Sequence, residues 1–241
     1  MIEIKNLSKK FGFFTAVDNI SFQVSKGEVV GFLGPNGAGK STTMKIITGY
    51  YSPTSGYVLI NDTNVEEYPK QTKTITGYLP ENVPVYKEFT VLEFLKFCGA
   101  VRGLRNKELA NAMDRVITLC DLKKVIYQTI DTLSKGYTKR VCLAQAIIHD
   151  PAYLILDEPT DGLDPNQKEQ IHNLIKEMGK TKTILLSTHV LDEAENCCSR
   201  IIIISEGKIA AEGTPAELKA KTNKGSLAET FKEVTLKCFE F

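Results

Sequence analysis

Residues 34–42 read Gly-Pro-Asn-Gly-Ala-Gly-Lys-Ser-Thr and follow the apolar run Val29-Val30-Gly31-Phe32-Leu33. A short apolar run of that kind is the pattern of a buried parallel strand, and a glycine-rich loop leading out of it into a helix limits the possible folds more than any other stretch. A loop that wraps a phosphate chain must bring backbone N–H groups against phosphate oxygens. Glycine makes this easiest by removing the Cβ, and the following helix aims the positive end of its dipole at the anion. Gly34, Pro35, Asn36, Gly37, Ala38, Gly39, Lys40, Ser41 and Thr42 are therefore expected to form a phosphate cradle. In that cradle Lys40 reaches the β- and γ-phosphates of a nucleoside triphosphate and the Ser41 hydroxyl ligates Mg²⁺. A glycine-rich turn that merely caps a helix is the alternative, and the strand-loop-helix context disfavours it.

The chain has 241 residues, enough for a sizeable core, and fits one α/β domain with or without an inserted subdomain rather than a tandem pair. Hydrophobic residues make up 42% and charged residues 24%, as in an ordinary globular protein, and no repeat or low-complexity segment interrupts them. The formal charge of +1 lacks the footprint of a nucleic-acid binder, so no nucleic-acid partner is expected. Apolar stretches are strand-sized, well short of the roughly 18–20 residues of a membrane span. With no signal peptide before Met1-Ile2-Glu3, a cytoplasmic location is expected. The cysteines at 98, 120, 142, 197, 198 and 238 form no Cys-x-x-Cys pair or zinc spacing, and are expected to be reduced and mostly buried. His149, His172 and His189 are too scattered for a metal cluster, so any metal should arrive with the nucleotide.

Strand-like segments at Ile2 to Ile4, Ile20 to Val24, Val29 to Leu33 and Tyr57 to Ile60, with a turn at Ser25-Lys26-Gly27, predict an antiparallel sheet with one wet face beside the strand that carries the loop. Over 88–128 the pattern changes. Phe89, Leu92, Phe94, Leu95 and Phe97, then Leu109, Met113, Val116, Ile117 and Leu119, recur at helical spacing and predict a helical insertion. Tyr153 to Leu156, Thr183 to Ser187 and Arg200 to Ser205 then alternate with helix-length segments, as in a parallel sheet, and Glu206-Gly207 turns into a short partner strand, Lys208-Ile209-Ala210.

Asp157 and Glu158 directly follow the apolar run Leu154-Ile155-Leu156, at the strand end where open α/β sheets meet their ligands. Asp157 is suited to hold Mg²⁺ through a water, and Glu158 to orient or deprotonate the water that attacks a γ-phosphate. Capping of the next helix would explain either acid alone, but not both beside a phosphate loop.

Leu133-Ser134-Lys135-Gly136-Tyr137 resembles the Leu-Ser-Gly-Gly-Gln signature of ATP-binding-cassette ATPases, with Lys135 and Tyr137 as departures. Its place between the phosphate loop and the strand ending Asp-Glu gives the match its specificity. Other elements of that family fall in order. Phe11 resembles the aromatic that stacks on adenine, more often Tyr. Glu81, in Gly77-Tyr78-Leu79-Pro80-Glu81, sits where the family usually has a Gln that touches Mg²⁺ and couples to the membrane partner. Gly162-Leu163-Asp164 resembles the loop that crosses between subunits, His189 the switch histidine on the γ-phosphate, and 226–231 the terminal helix of export-type members.

The resemblance implies an α/β fold over 1–241: a P-loop NTPase core with an antiparallel β subdomain, an inserted helical subdomain at about 84–145 and a carboxyl-terminal extension at about 215–241. It implies an ATPase that binds ATP and Mg²⁺ and energises a transporter, an exporter, whose integral membrane permease is a separate chain. Catalysis would fall to Glu158, His189 and Lys40, and Mg²⁺ to Ser41, Glu81 and Asp157. Phe11, the loop residues 34–42, Glu81, Ser134, Gly136 and Asp164 would contact nucleotide. Ser134 and Gly136 would serve the partner's site in a head-to-tail homodimer or heterodimer, peripheral on the inner face of the cell membrane through the permease. A non-transport cassette ATPase acting on DNA or ribosomes, and a regulatory nucleotide-binding module without turnover, are the alternatives. The near-neutral charge and single cassette speak against the first, and Glu158 against the second.

Overall fold

The computed structural model describes residues 1–82, 84–221 and 225–236. Cys238 and the parts of the expected extension at 222–224 and 237–241 lie outside the described residues. The chain opens with a long hairpin, β1 (Ile2–Phe11) and β2 (Phe14–Val24), and passes through β3 (Val29–Leu33) into helix α1 (Lys40–Ile47). Strands β4 (Ser55–Ile60) and β5 (Thr63–Asn64), helix α2 (Pro69–Ile75) and strand β6 (Thr76–Leu79) follow. Next come helices α3 (Val91–Val101), α4 (Asn106–Leu119) and α5 (Lys135–Ile147). The chain then alternates β7 (Tyr153–Asp157), α6 (Pro165–Gly179), β8 (Thr183–Thr188), α7 (Leu191–Cys197) and β9 (Arg200–Ser205). The last described elements are β10 (Lys208–Gly213), α8 (Pro215–Ala220) and α9 (Leu227–Leu236).

One sheet is antiparallel, ordered β2-β1-β4-β5, and the other is ordered β10-β9-β3-β8-β7-β6, parallel throughout except at β10. The second is covered on both faces, which is why its strands read as unbroken apolar runs. Its side chains still alternate. Ile202 and Ile204 pack with Ile2, Ile4 and Val24 of the antiparallel sheet, whereas Ile201 and Ile203 pack toward the helices with Leu154 and Leu156. Phe32 of β3 stacks on Phe22 of β2 with ring centroids 5.3 Å apart, joining the two sheets across this core.

The helices begin where their caps dictate. Thr90 and Glu93 exchange side-chain-to-backbone bonds in a capping box at α3, and Asp164, followed by Pro165, caps α6. Phe94 and Leu95 of α3 and Met113 and Val116 of α4 are buried together, so the helical spacing over 88–128 corresponds to a packed face. Cys120, Cys142, Cys197 and Cys198 are buried and Cys98 is half-buried.

The first hairpin is longer than the short strands expected from Ile2 to Ile4 and Ile20 to Val24. Its middle is polar, and register shifts after Ile4, Leu7 and Lys9 break the two-residue alternation that marks a strand in sequence. Strand β6 also escaped the pattern, because it is a four-residue edge strand continuous with α2.

Register along the parallel sheet aligns the strand ends. Leu33 pairs with Thr188, Ser187 with Asp157, and Leu156 with Leu79. The loop after β3, the acids after β7, His189 after β8 and Glu81 after β6 therefore emerge at one carboxyl edge. Removing the ring that joins the two sheets, Phe32→Ala, is expected to lower stability by about 3–5 kcal/mol, read as a fall in urea midpoint at unchanged m.

Candidate functional site

The loop of residues 34–39 is held by backbone contacts that exclude larger residues. Gly39 caps α1 with φ +106°, and a Cβ there would meet the Ala16 carbonyl at 2.5 Å. Ala38 accepts at its carbonyl from Gly207 N–H, 3.0 Å, so the turn between β9 and β10 buttresses the loop. Lys40 is only 6% exposed. Its Nζ donates to the carbonyls of Gly34 at 2.7 Å and Pro35 at 3.2 Å and stands 3.4 Å from Glu158 Oε1.

Asp157 is fully buried. Its Oδ1 accepts from Ser187 Oγ at 2.5 Å and from Ser41 Oγ at 3.2 Å, while Oδ2 is buried with no hydrogen-bond partner. Burial pushes the Asp157 carboxyl above its ordinary pKa, and the bonds from Ser187 and Ser41 only partly offset this. Ser41 Oγ also lies 3.5 Å from Glu81 Oε2. An unpartnered carboxylate oxygen beside a hydroxyl and a second carboxylate is a hard-oxygen set that fits Mg²⁺, which would relieve the cost of the buried charge. Among the described residues no three His, Cys, Asp or Glu side chains converge to hold a metal unaided. The remaining Mg²⁺ ligands would be phosphate and water oxygens, the usual way this ion is bound.

Glu158 occupies the left-handed region at φ +48°, a conformation that costs a non-glycine residue free energy. Its N–H donates to both the Ser187 carbonyl, 3.2 Å, and the Ser187 hydroxyl, 3.0 Å, which hold the turn in place. The carboxylate then lies between Lys40 Nζ and His189 Nδ1, 3.0 Å away. The imidazole is 42% exposed, so it faces the open cleft.

This cleft has a volume of about 470 Å³ and brings Asn36, Gly37, Gly39, Lys40, Ser41, Thr42, Glu81, Glu158 and His189 into one wall. Gly34, Pro35 and Ala38 form the loop's inner side, and Asp157 lies beneath Ser41. Phe14, Ala16 and Asp161 also line the cleft, and the motif reading did not single them out. Phe11 does not line it. Its ring meets Tyr51 edge-on at 5.6 Å with Lys9 Nζ 5.1 Å from its centre, while its cross-strand partner Phe14 borders the cleft. Lys139 was also missed. Its buried Nζ donates to the Glu81 carbonyl at 3.3 Å, and burial holds the ammonium below its ordinary pKa.

Ser134, Gly136 and Asp164 sit outside the cleft wall. Ser134, exposed, caps α5 by accepting from Tyr137 N–H at 3.3 Å, and Asp164, exposed, caps α6 by accepting from Gln167 N–H at 3.0 Å. Gly136 binds these two caps into one patch: a Cβ there would meet the Gln167 side chain at 2.4 Å.

The family model described as "ABC transporter" matches residues 17–161. The chain is 40% identical over 223 residues to "Probable multidrug ABC transporter ATP-binding protein YbhF" of Escherichia coli (strain K12), a match covering 92% of this chain and 38% of the relative's length. Among solved structures, an ATP-binding subunit of an ABC transporter is 31% identical with a TM-score of 0.88, covering 98% of this chain and 99% of that one. A dimeric ATP-binding cassette in a post-hydrolysis state, bound to ADP and Pi, is 26% identical with a TM-score of 0.81, covering 89% of this chain and 98% of that one.

Lys40→Ala should abolish tight binding of Mg²⁺-ATP, since the loop amides alone do not offset the charge of two phosphates. Equilibrium titration checks this. An unchanged affinity would place the phosphates elsewhere.

Proposed function

The chain belongs to the ABC transporter family, and we propose that it is an ATP-binding and ATP-hydrolysing subunit that energises an exporter whose membrane-spanning part is a separate polypeptide. The observation that carries this reading is the meeting of a phosphate loop, the buried Asp157 and the Lys40–Glu158–His189 cluster at one cleft.

Lys40 neutralises the β- and γ-phosphates once these displace the Gly34 and Pro35 carbonyls from its ammonium. Ser41, Asp157 and Glu81 would hold Mg²⁺, which would supply charge neutralisation and alignment of the phosphates when bound. Glu158 orients the attacking water and accepts its proton, while His189 hydrogen-bonds the γ-phosphate from the cleft side. The hairpin tip carrying Phe11 and Phe14 offers aromatic surface for the adenine.

The patch formed by the exposed Ser134 and Asp164, with Gly136 buried between them, serves the cleft of a second subunit, so each composite site uses the loop of one chain and the signature of the other. Its position outside this chain's own cleft supports that arrangement, as does the similarity to a cassette described as dimeric. The permease docks at a groove of about 1030 Å³ beside β6 and α3, lined by Tyr50, Tyr86, Phe97 and Val101 together with Lys73 and Arg102. Among the described residues no helix is long and apolar enough to cross a membrane. On this reading the subunit sits on the inner face of the cell membrane through that contact. Export is favoured by the resemblance of 226–231 to the terminal helix of export-type members and by the Leu-Ser-Lys-Gly-Tyr form of the signature.

Glu158→Gln is expected to retain ATP binding, lower turnover by about 10²–10⁴-fold and accumulate as an ATP-bound dimer in size-exclusion chromatography. A persistent monomer at high protein and ATP concentration counts against the paired sites. In a mixing assay, Ser134→Arg and Lys40→Ala chains, each nearly inactive, should regain partial ATPase activity together, because their heterodimer holds one intact composite site. No recovery from folded, demonstrably mixed dimers would exclude independent sites completed in trans.

A further inference from the structure

Glu193 lies near the start of α7 and is 5% exposed. Its carboxylate joins segments far apart in sequence. Oε2 accepts from the Thr188 hydroxyl at 2.9 Å, Oε1 accepts from Lys168 Nζ at 3.1 Å, and the Thr160 hydroxyl is a further donor. Thr188 is the last residue of β8, next to His189. Thr160 follows Glu158 in the loop after β7. Lys168 stands in the first turn of α6, where its N–H bonds the Asp164 carbonyl at 2.9 Å.

The Thr188 hydroxyl also accepts from Val190 N–H at 3.0 Å. A hydroxyl carries one proton, so giving it to Glu193 leaves a lone pair for Val190. The backbone on both sides of His189 is thereby clamped to one carboxylate, and the imidazole so held stands 3.0 Å from Glu158. Burial acts to raise the Glu193 carboxyl, but the bonds from Thr160, Thr188 and Lys168 outweigh it and hold the group below the usual carboxylate range. It is therefore ionised at neutral pH, with His172 Nε2 3.9 Å away. A buried carboxylate is weak evidence for stability in itself, whereas fixing the relative placement of three segments is a task its directional bonds suit.

We infer that Glu193 is a positioning residue for ATP hydrolysis, setting His189 against Glu158 and tying that pair to the 160–168 segment that carries Asp164. The inference rests on the ATPase reading of the cleft. Neither Glu193 nor Thr188 lines that cleft, so both act through His189.

The test is a double-mutant cycle on the full chain, with single-turnover ATP hydrolysis and equilibrium ATP binding measured for Glu193→Gln, His189→Ala and the pair. Glu193→Gln should leave Kd within about twofold and slow hydrolysis about tenfold, with little further loss in the His189→Ala background, because residues acting as a unit are not additive. A merely structural carboxylate would slow both backgrounds by the same factor. That result, or an unchanged rate in the single variant, overturns the inference. Should Glu193→Gln fail to fold, Thr188→Val removes the clamping hydroxyl and runs the same cycle with the same criteria. If the wild-type chain binds ATP but does not hydrolyse it, the ATPase reading fails first and the inference falls with it.

Discussion

The Ser187 side chain and its own carbonyl hold both acids of the site. The hydroxyl gives its proton to Asp157 at 2.5 Å, and the hydroxyl oxygen and the carbonyl both receive the N–H of Glu158. These bonds determine that Asp157 turns one oxygen to Ser41 and leaves the other unpartnered. They also let Glu158 hold a left-handed backbone, which sends its carboxylate out toward Lys40 and His189. The pairing of Asp157 with Ser187 across β7 and β8 makes this possible, and that pairing depends in turn on a parallel sheet packed on both faces. Site chemistry and core packing are therefore one constraint seen at two scales.

The same region concentrates the unfavourable terms. A carboxylate at zero exposure with an orphan oxygen, a strained non-glycine residue and an ammonium wedged under carbonyls all lie within one strand edge and loop. Each costs stability in the isolated chain and is relieved by polyanion and cation arriving together. The apolar clusters on the two faces of the parallel sheet supply the compensating burial.

The phosphate loop and the Asp157-Glu158 pair were legible because each is contiguous, with its chemistry and its strand context in the same few residues. Ser187, Thr188 and Glu193 were not, since their roles arise from strand register and helix docking, as in the Ser187–Asp157 bond across 30 positions and the Lys168–Glu193 bond across 25. Phe14 was overlooked for a different reason. Residues 11–14 include three phenylalanines around Gly12, and only the fold determines which ring borders the cleft. The length of the first hairpin was hidden by its polar, bulged middle, where Asn6 and Asn19 take left-handed conformations that no alternation pattern encodes.

The signature patch and the phosphate cleft occupy different surfaces of one chain. On the composite-site reading, a lone subunit is then a half-enzyme, and its rate at low concentration rises with the square of its concentration rather than in proportion to it. A membrane partner that tethers two copies converts that encounter into an intramolecular one, at an effective concentration on the order of millimolar for a short tether. Copy number and tether geometry, more than the chemistry of any single residue, would then set how much ATP is spent away from the membrane.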